Sequence, residues 1–245
     1  MIFRRIIQQV REQNWTAIAI EFVLLVLGVF LGLQAQEWAN ERQARSEERA
    51  LLASLRTEFT EARSELIAQT EKHRRIETDV TYVIETLSHA EQSGTSHATV
   101  LDARFAWALI GTTTQLSQGE LKGMLSAGRL SLIRNPALRS ALADWDSVLA
   151  DATEDELLAR EMTVRQLEPL LWRLMDARPI RDYALLRESP PVPPPATTSE
   201  IPVDRELLGA LATRRFWLRH TIRELDGPSQ EAERIVGLIE ASLGN

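Results

Sequence analysis

The sequence predicts an all-α protein, with one N-terminal transmembrane helix that continues into a long coiled-coil-like stalk and then a helical-bundle domain. Three observations favour this fold class. The run from Ala17 to Leu33 holds 17 residues and one ionisable group. Apolar residues then recur in steps of three and four for five heptads, as they do along one face of a helix. No stretch of useful length alternates apolar and polar residues with the period of two typical of a half-buried strand.

Composition and charge exclude several classes of protein. A chain of 245 residues with 44% apolar and 26% charged residues is neither collagen-like nor wholly disordered. The chain has no cysteine, which excludes disulfide scaffolds, thiolate metal sites and thiol nucleophiles. A net charge of −7 argues against nucleic acid as a partner, because phosphates bind to basic surfaces.

The apolar run Ala17–Leu33 is long enough to cross a bilayer, at the lower end of the usual range. Twelve of its residues are Leu, Ile, Val or Phe, and at roughly −0.4 kcal/mol each they favour insertion by about 5 kcal/mol. The cost of Glu21 is about 3 kcal/mol, so insertion is favoured. Trp15 and Trp38 bracket the run and are predicted to lie as interface anchors near the two headgroup layers.

Two other interpretations of this run are weaker. A cleaved signal peptide would also follow basic residues such as Arg4, Arg5 and Arg11. The run is longer than a signal peptide needs, contains Glu21, and leads into residues 34–37, which offer no clear small-x-small cleavage site. A buried core helix is the second alternative. We therefore expect an uncleaved anchor.

The orientation in the membrane rests on a small difference in charge. Three arginines lie in the 14-residue tail and three in the first residues beyond Trp38, so the count of positive charges is a tie. The slight excess of positive charge in the tail and its shortness favour an N-terminus in the cytoplasm. We therefore expect residues 1–14 to form a cytoplasmic amphipathic tail, and the C-terminal domain to lie in the periplasm of a bacterial inner membrane.

One face of the predicted membrane helix is unusual. At 100° per residue, Glu21, Leu25, Gly28 and Gly32 fall close to one line along the helix. The two glycines form a GxxxG motif, which lets a second helix backbone approach closely within a bilayer. An acid within the membrane normally finds a protein partner. We expect this line to be a helix contact face, although Glu21 could instead reach water at the interface or be protonated.

Two stretches of the chain resemble a known family. Residues 21–34, EFVLLVLGVFLGLQ, followed by WANER at 38–42, are similar to the opening of a widespread bacterial family of single-span membrane proteins of unknown function. ELK at 120–122 and SAGRLSLIRN at 126–135 resemble the second recognisable stretch of that family. Ala39 departs from the Asn common after the tryptophan. The resemblance implies an architecture and a membrane location, and it implies no reaction.

The stalk is predicted from a regular apolar seam. Its members are Leu52, Leu55, Phe59, Ala62, Leu66, Gln69, His73, Ile76, Val80, Val83 and Leu87. With Leu52 at position a, a parallel dimer would pair Glu58 with Arg63 and Lys72 with Glu77 between chains. The same seam could instead pack against later helices of its own chain, and the sequence leaves both possibilities open. His73 within the seam is either a pH switch or a packed histidine.

Breaks in the pattern give six segments. These are a tail 1–14, a membrane helix 15–38, a stalk 39–92, a helical domain 93–187, a Pro-rich linker 188–202 and a C-terminal helical pair 203–245. Residues 100–110 are predicted to form a helix, and 117–128 a second one that begins with a capping box. Asn135, followed by Pro136, and Asp204 are predicted N-caps, and Pro169 a kink.

The sequence offers no pattern typical of catalysis. The four histidines lack metal-ligand spacing, and no glycine-rich phosphate loop or nucleophile elbow is present. We expect no catalytic, cofactor-binding or metal-binding residues and no cofactor. A local basic patch is predicted from Arg214, Arg215, Arg219 and Arg223.

These observations predict a non-enzymatic membrane-anchored protein that serves as an interaction or accessory subunit of a membrane assembly. The expected partners are the lipid bilayer and, through the transmembrane helix, a second copy of the chain or other membrane-protein subunits. The alternative is a periplasmic helical-bundle ligand sensor. A hydrolase or transferase is the least favoured class.

Overall fold

The structure, a computed structural model, describes residues 15–185 and 196–244. The helices are α1 (Trp15–Gln92), α2 (Asp102–Ala108), α3 (Gly119–Ser126), α4 (Pro136–Met162), α5 (Glu168–Leu174), α6 (Arg178–Leu185), α7 (Arg205–Glu224) and α8 (Asp226–Leu243). The strands are β1 (His97–Leu101) and β2 (Thr198–Pro202), with a 3₁₀ turn at Arg129–Leu132 and a π turn at Thr163–Leu167. The all-α fold class is confirmed. The predicted tail 1–14 and residues 188–195 of the predicted linker lie outside the described residues.

The chain divides into two compact units, the first ending at Leu51 and the second beginning at Leu52. In the first unit, every large apolar side chain between Ile20 and Leu33 is exposed, from 47% at Val26 to 66% at Phe22. Within the described residues, α1 is the one helix long and apolar enough to cross a membrane. An exposed apolar surface of this size is typical of a site that contacts a membrane or another protein.

In the second unit, α7 and α8 run antiparallel to the 52–92 part of α1. Arg219 of α7 pairs with Glu77 at 2.8 Å, and further along, Glu240 of α8 pairs with Arg56 at 2.9 Å. As the residue number rises along α7 and α8, the number of the facing residue in α1 falls, which is the antiparallel arrangement. These ion pairs are exposed and each contributes at most about 1 kcal/mol.

Helix α4 runs parallel to the same part of α1. The Phe59 and Trp145 rings meet edge to face with their centroids 5.0 Å apart. Further along both helices, the His73 imidazole contacts the Glu156 carboxylate. The second unit is therefore a bundle in which α1 and α4 run one way and α7 with α8 run the other.

The predicted seam of α1 is buried inside its own chain. Every seam residue from Leu52 to Leu87 is less than 9% exposed. Toward the Gln92 end, the seam joins one apolar cluster with Phe105 of α2, Leu170 of α5 and Leu211 of α7. Of the two open possibilities, the structure has the packing against later helices of the chain. Residues 52–92 therefore belong to the helical body and are not a separate stalk.

The charged residues beside the seam also find partners within the chain. Glu58 accepts hydrogen bonds from the backbone N–H groups of Glu120 and Leu121, at 2.7 and 3.0 Å. Arg63 pairs with Glu233, and Glu77 with Arg219, as above. Three of the four residues predicted to pair between chains are therefore engaged inside one chain. The predicted seam is buried, but the pairing predicted for its flanking charges in a parallel dimer is not what these three residues make.

Several predicted helix ends match the structure. The Asn135 side chain accepts hydrogen bonds from the N–H groups of Ala137 and Leu138, and Asp204 accepts one from Leu207. The predicted capping box at the start of the helix 117–128 is wrong, because α3 runs from Gly119 to Ser126 and has no side-chain cap of its own. Glu58 of α1 accepts the hydrogen bonds of its first N–H groups instead.

A two-stranded ribbon replaces parts of two predicted segments. Residues 100 and 101 belong to β1 and not to the predicted helix 100–110, which is α2 and ends at Ala108. Residues 198–202 of the predicted linker form β2, which pairs antiparallel with β1 and places Ala98 opposite Ile201. Both of these side chains are buried. Five residues are too few to distinguish such an alternation from chance in the sequence.

The predicted kink at Pro169 appears as a wider helical turn just before it. Proline has no N–H to donate, and its ring clashes with the carbonyl of the preceding turn. The chain forms the π turn Thr163–Leu167 and begins α5 at Glu168, which puts Pro169 in the first turn of a helix, where it is tolerated.

Leu66→Ala tests the burial of the seam, with Ile67→Ala as its matched control. Leu66 is fully buried and Ile67 is 44% exposed. We expect Leu66→Ala to lower the free energy of unfolding by about 2–5 kcal/mol, because it leaves a cavity. Ile67→Ala should change it by less than about 0.5 kcal/mol. Urea unfolding of the full chain in detergent, followed by tryptophan fluorescence, measures both, and equal losses would contradict the packing.

Candidate functional site

The predicted contact face of the membrane helix is open. Leu25 is 64% exposed, and a Cβ atom built on Gly28 or Gly32 would meet nothing within 4 Å. Glu21 is exposed one turn before Leu25. The four residues therefore form a strip along which another helix backbone could approach closely.

Of the two predicted interface anchors, only Trp38 has its side chain among the described residues. Trp15 is the first residue of α1, and its side chain lies outside the described residues. Trp38 is 59% exposed, and the Arg42 guanidinium lies 4.0 Å from the centre of its ring. A tryptophan paired with a cation suits the headgroup layer, where an apolar ring and a charge can both be accommodated.

A buried polar cluster lies at the centre of the bundle. His73 Nε2 is 2.8 Å from Glu156 Oε1, and both side chains are almost wholly buried. Thr114 donates its backbone N–H to Glu156 Oε2 at 2.6 Å and its hydroxyl to Oε1 at 2.8 Å. His73 Nδ1 is buried and has no hydrogen-bond partner in the described part of the chain. An imidazole protonated on Nε2 fits these contacts. The pH-switch hypothesis for His73 stays a prediction.

This cluster holds an irregular part of the chain, residues 109–118, which we call the crossover segment. The Thr112 hydroxyl donates to Gln69 Oε1 at 2.9 Å, and Thr114 binds Glu156 as described. Polar backbone groups outside a helix or strand need partners when the body covers them. Glu156 of α4 supplies such a partner to the Thr114 N–H, and Gln69 of α1 binds the Thr112 side chain. The two polar side chains therefore fix the path of the segment.

Arg214 of α7 holds the beginning of the same segment. Its guanidinium is buried and donates to the carbonyl oxygens of Ala108 and Ile110 and to the Thr163 hydroxyl. Burial lowers the pKa of Arg214 to about 10, and the nearby Glu168 opposes that shift. The side chain therefore stays charged at neutral pH. The predicted basic patch is wrong in this respect, because Arg214 faces the core.

Sequence reasoning missed the roles of Glu156 and Arg214, although both lie on the buried faces of their helices. Glu156 lies seven residues before Thr163 and Arg214 three residues after Leu211, and all four residues are buried. The signal that could have identified these two residues is a charged side chain at the helical spacing of the buried residues. The sequence could not show which residues would face them.

A cavity of about 280 Å³ lies beside this buried arginine. Its lining is Ala106, Leu109, Ile110, Gly111, Arg160, Thr163, Val164, Glu168, Ile180 and Arg181. Arg181 pairs with Glu168 at 2.7 Å, and Glu168 is 9% exposed. The cavity therefore combines apolar walls with charged groups, the composition typical of small-molecule sites.

Metal binding finds no support among the residues that the structure describes, where no three His, Asp or Glu side chains are grouped to hold an ion. Comparison of the chain with protein-family models, curated proteins and solved structures finds no match. The family resemblance noted from the sequence stays a prediction.

Glu156→Gln tests the buried cluster, with Glu154→Gln on the exposed side of α4 as its control. The amide would turn an N–H₂ group toward the donors of Thr114 and His73, which now contact the carboxylate. We expect a loss of about 3 kcal/mol in the free energy of unfolding for Glu156→Gln. Glu154→Gln should stay within about 0.5 kcal/mol. Faster amide hydrogen exchange across residues 109–118 should accompany the first change, and unchanged exchange there would contradict the assignment.

Proposed function

We propose that this chain is a non-enzymatic, single-pass membrane-anchored protein and an interaction or accessory subunit of a membrane assembly. The apolar part of α1 anchors it in the bilayer. The strip formed by Glu21, Leu25, Gly28 and Gly32 binds a second transmembrane helix, of another copy of the chain or of another subunit. The helical unit that begins at Leu52 lies outside the bilayer.

The observation that carries this proposal is the exposure of eleven large apolar side chains between Ile20 and Leu33. A soluble protein rarely leaves so continuous an apolar surface uncovered. In a bilayer, the same surface is solvated by lipid tails, and the helix satisfies its own backbone hydrogen bonds. Trp38 with Arg42 marks one end of the span, where the chain becomes polar.

The partner of the helix is inferred from the glycine strip. Lipid tails are as apolar as leucine, so helices associate in a bilayer through close packing and polar contacts. Gly28 and Gly32 permit close packing, and Glu21 on the same strip supplies a polar group that is costly to leave facing lipid. The proposal places the span in a bacterial inner membrane and the helical unit in the periplasm.

The alternative function, a helical-bundle ligand sensor, is favoured by one specific observation, which is the cavity beside Arg160 and Glu168. A protein of the proposed kind could carry such a site as well. The membrane proposal and the cavity are therefore tested separately.

Alkaline carbonate extraction of membranes tests the anchor. We expect the native chain to stay in the pellet, because its apolar span favours insertion by about 2 kcal/mol net of Glu21. Leu24→Arg with Leu27→Arg should release the chain, since each arginine costs about 3 kcal/mol at the centre of a span. Leu24→Ala with Leu27→Ala is the matched control and should stay membrane-bound. Release of the native chain would overturn the proposal.

Substitution of the two glycines tests the helix contact face. Gly28→Leu with Gly32→Leu should weaken association between labelled chains in lipid vesicles by about tenfold or more, because the side chains keep the backbones apart. Val23→Phe with Val26→Phe adds as many carbon atoms on the opposite side of the helix and should change association little. Energy transfer between chains labelled with two fluorophores, or with a co-purified partner, reports the association. Equal effects of the two double variants would contradict the assignment of this face.

A further inference from the structure

The charges around the cavity are unlike those of the chain as a whole. The chain has a net charge of −7. Arg160 and Arg181 line the cavity, and the buried Arg214 donates to Thr163 in its wall. Glu168 is the one carboxylate in the lining, and it is already paired with Arg181. Three guanidinium groups and one carboxylate therefore give this site a positive charge, which favours an anion.

Among the described residues of the lining, Arg160 is the cation that remains available to a ligand. It is exposed, and its guanidinium has neither an ion pair nor a hydrogen bond to any described residue. Its stem lies against Gly111, where a built Cβ would be only 3.0 Å from Arg160 Cγ. The absence of a side chain at residue 111 therefore lets the arginine lie across the crossover segment at the edge of the cavity.

Apart from Thr163, the rest of the lining is apolar. Leu109 and Ile110 come from the crossover segment, Val164 from the π turn and Ile180 from α6. The volume of about 280 Å³ is just below the range for drug-sized small-molecule sites, roughly 300–1,000 Å³. The shape and chemistry suit a compact ligand with an apolar body.

We propose that this cavity binds a small organic monocarboxylate, with the carboxylate on Arg160 and the apolar body against Leu109, Val164 and Ile180. Arginine binds carboxylates in a planar, two-pronged geometry, which orients the ligand as well as holding it. The Thr163 hydroxyl in the wall is already engaged, since it donates to the Ala159 carbonyl oxygen and accepts from Arg214. Arg160 therefore supplies the donors for the carboxylate. This site does not depend on the proposed membrane function, since all of its residues belong to the unit that begins at Leu52.

Calorimetric titration of the full chain in detergent tests the site with hexanoate as the probe. Hexanamide has the same body without the charge, and acetate has the charge with almost no body. We expect saturable binding of hexanoate and binding at least about tenfold weaker for both other probes, because a charge-assisted pair and the apolar contacts are each needed. Equal binding of hexanoate and hexanamide would overturn the proposal.

Arg160→Gln locates the site, and Arg129→Gln, an exposed arginine in the 3₁₀ turn, is its control. Arg160→Gln should weaken hexanoate binding by about tenfold, while Arg129→Gln leaves it unchanged. Because Arg160 is exposed and has no ion pair or hydrogen bond to a described residue, circular dichroism should show an unchanged fold. Loss of binding in both variants, or in neither, would overturn the assignment, as would a native chain that binds no hexanoate.

Discussion

The apolar seam of α1 between Leu52 and Leu87 is the constraint on which the second unit depends. Burial of one large apolar side chain contributes about 1.5–3 kcal/mol, so a seam of this length cannot remain in water. Helices α4, α7 and α8 cover it within one chain. In this packing, α7 and α8 run antiparallel to α1, and the ion pairs of Arg56 and Glu77 form between the facing helices.

The buried polar residues of α1, α4 and α7 have a second consequence. A buried polar group is costly unless it is hydrogen-bonded, and Gln69, Glu156 and Arg214 find their partners mainly in residues 108–114. The helices therefore fix a part of the chain that has no helix or strand of its own. That part in turn forms one wall of the cavity beside Arg160. The site and the bundle core share the same buried interactions.

Local chemistry made much of the fold predictable. The spacing of the seam and the caps at Asn135 and Asp204 each depend on a few neighbouring residues, and the structure has all of them. The β1–β2 ribbon joins segments about a hundred residues apart, so no local pattern announces it. The same applies to the cavity, where Arg160 and Arg181 come from different helices. The spacing of Arg214 from Leu211 indicates that it lies on the buried face of α7. The sequence does not show which carbonyl groups its side chain binds.

The second unit depends on the seam of α1 being covered by helices of the same chain. Spin labels can test this directly, because the chain has no native cysteine. Cysteines placed at Arg63 and Glu233, whose side chains pair at 3.2 Å, would carry two labels across α1 and α8. Strong coupling between the labels should persist when the doubly labelled chain is diluted with excess unlabelled chain. Coupling that vanishes on dilution, and that appears when two singly labelled chains are mixed, would contradict the account.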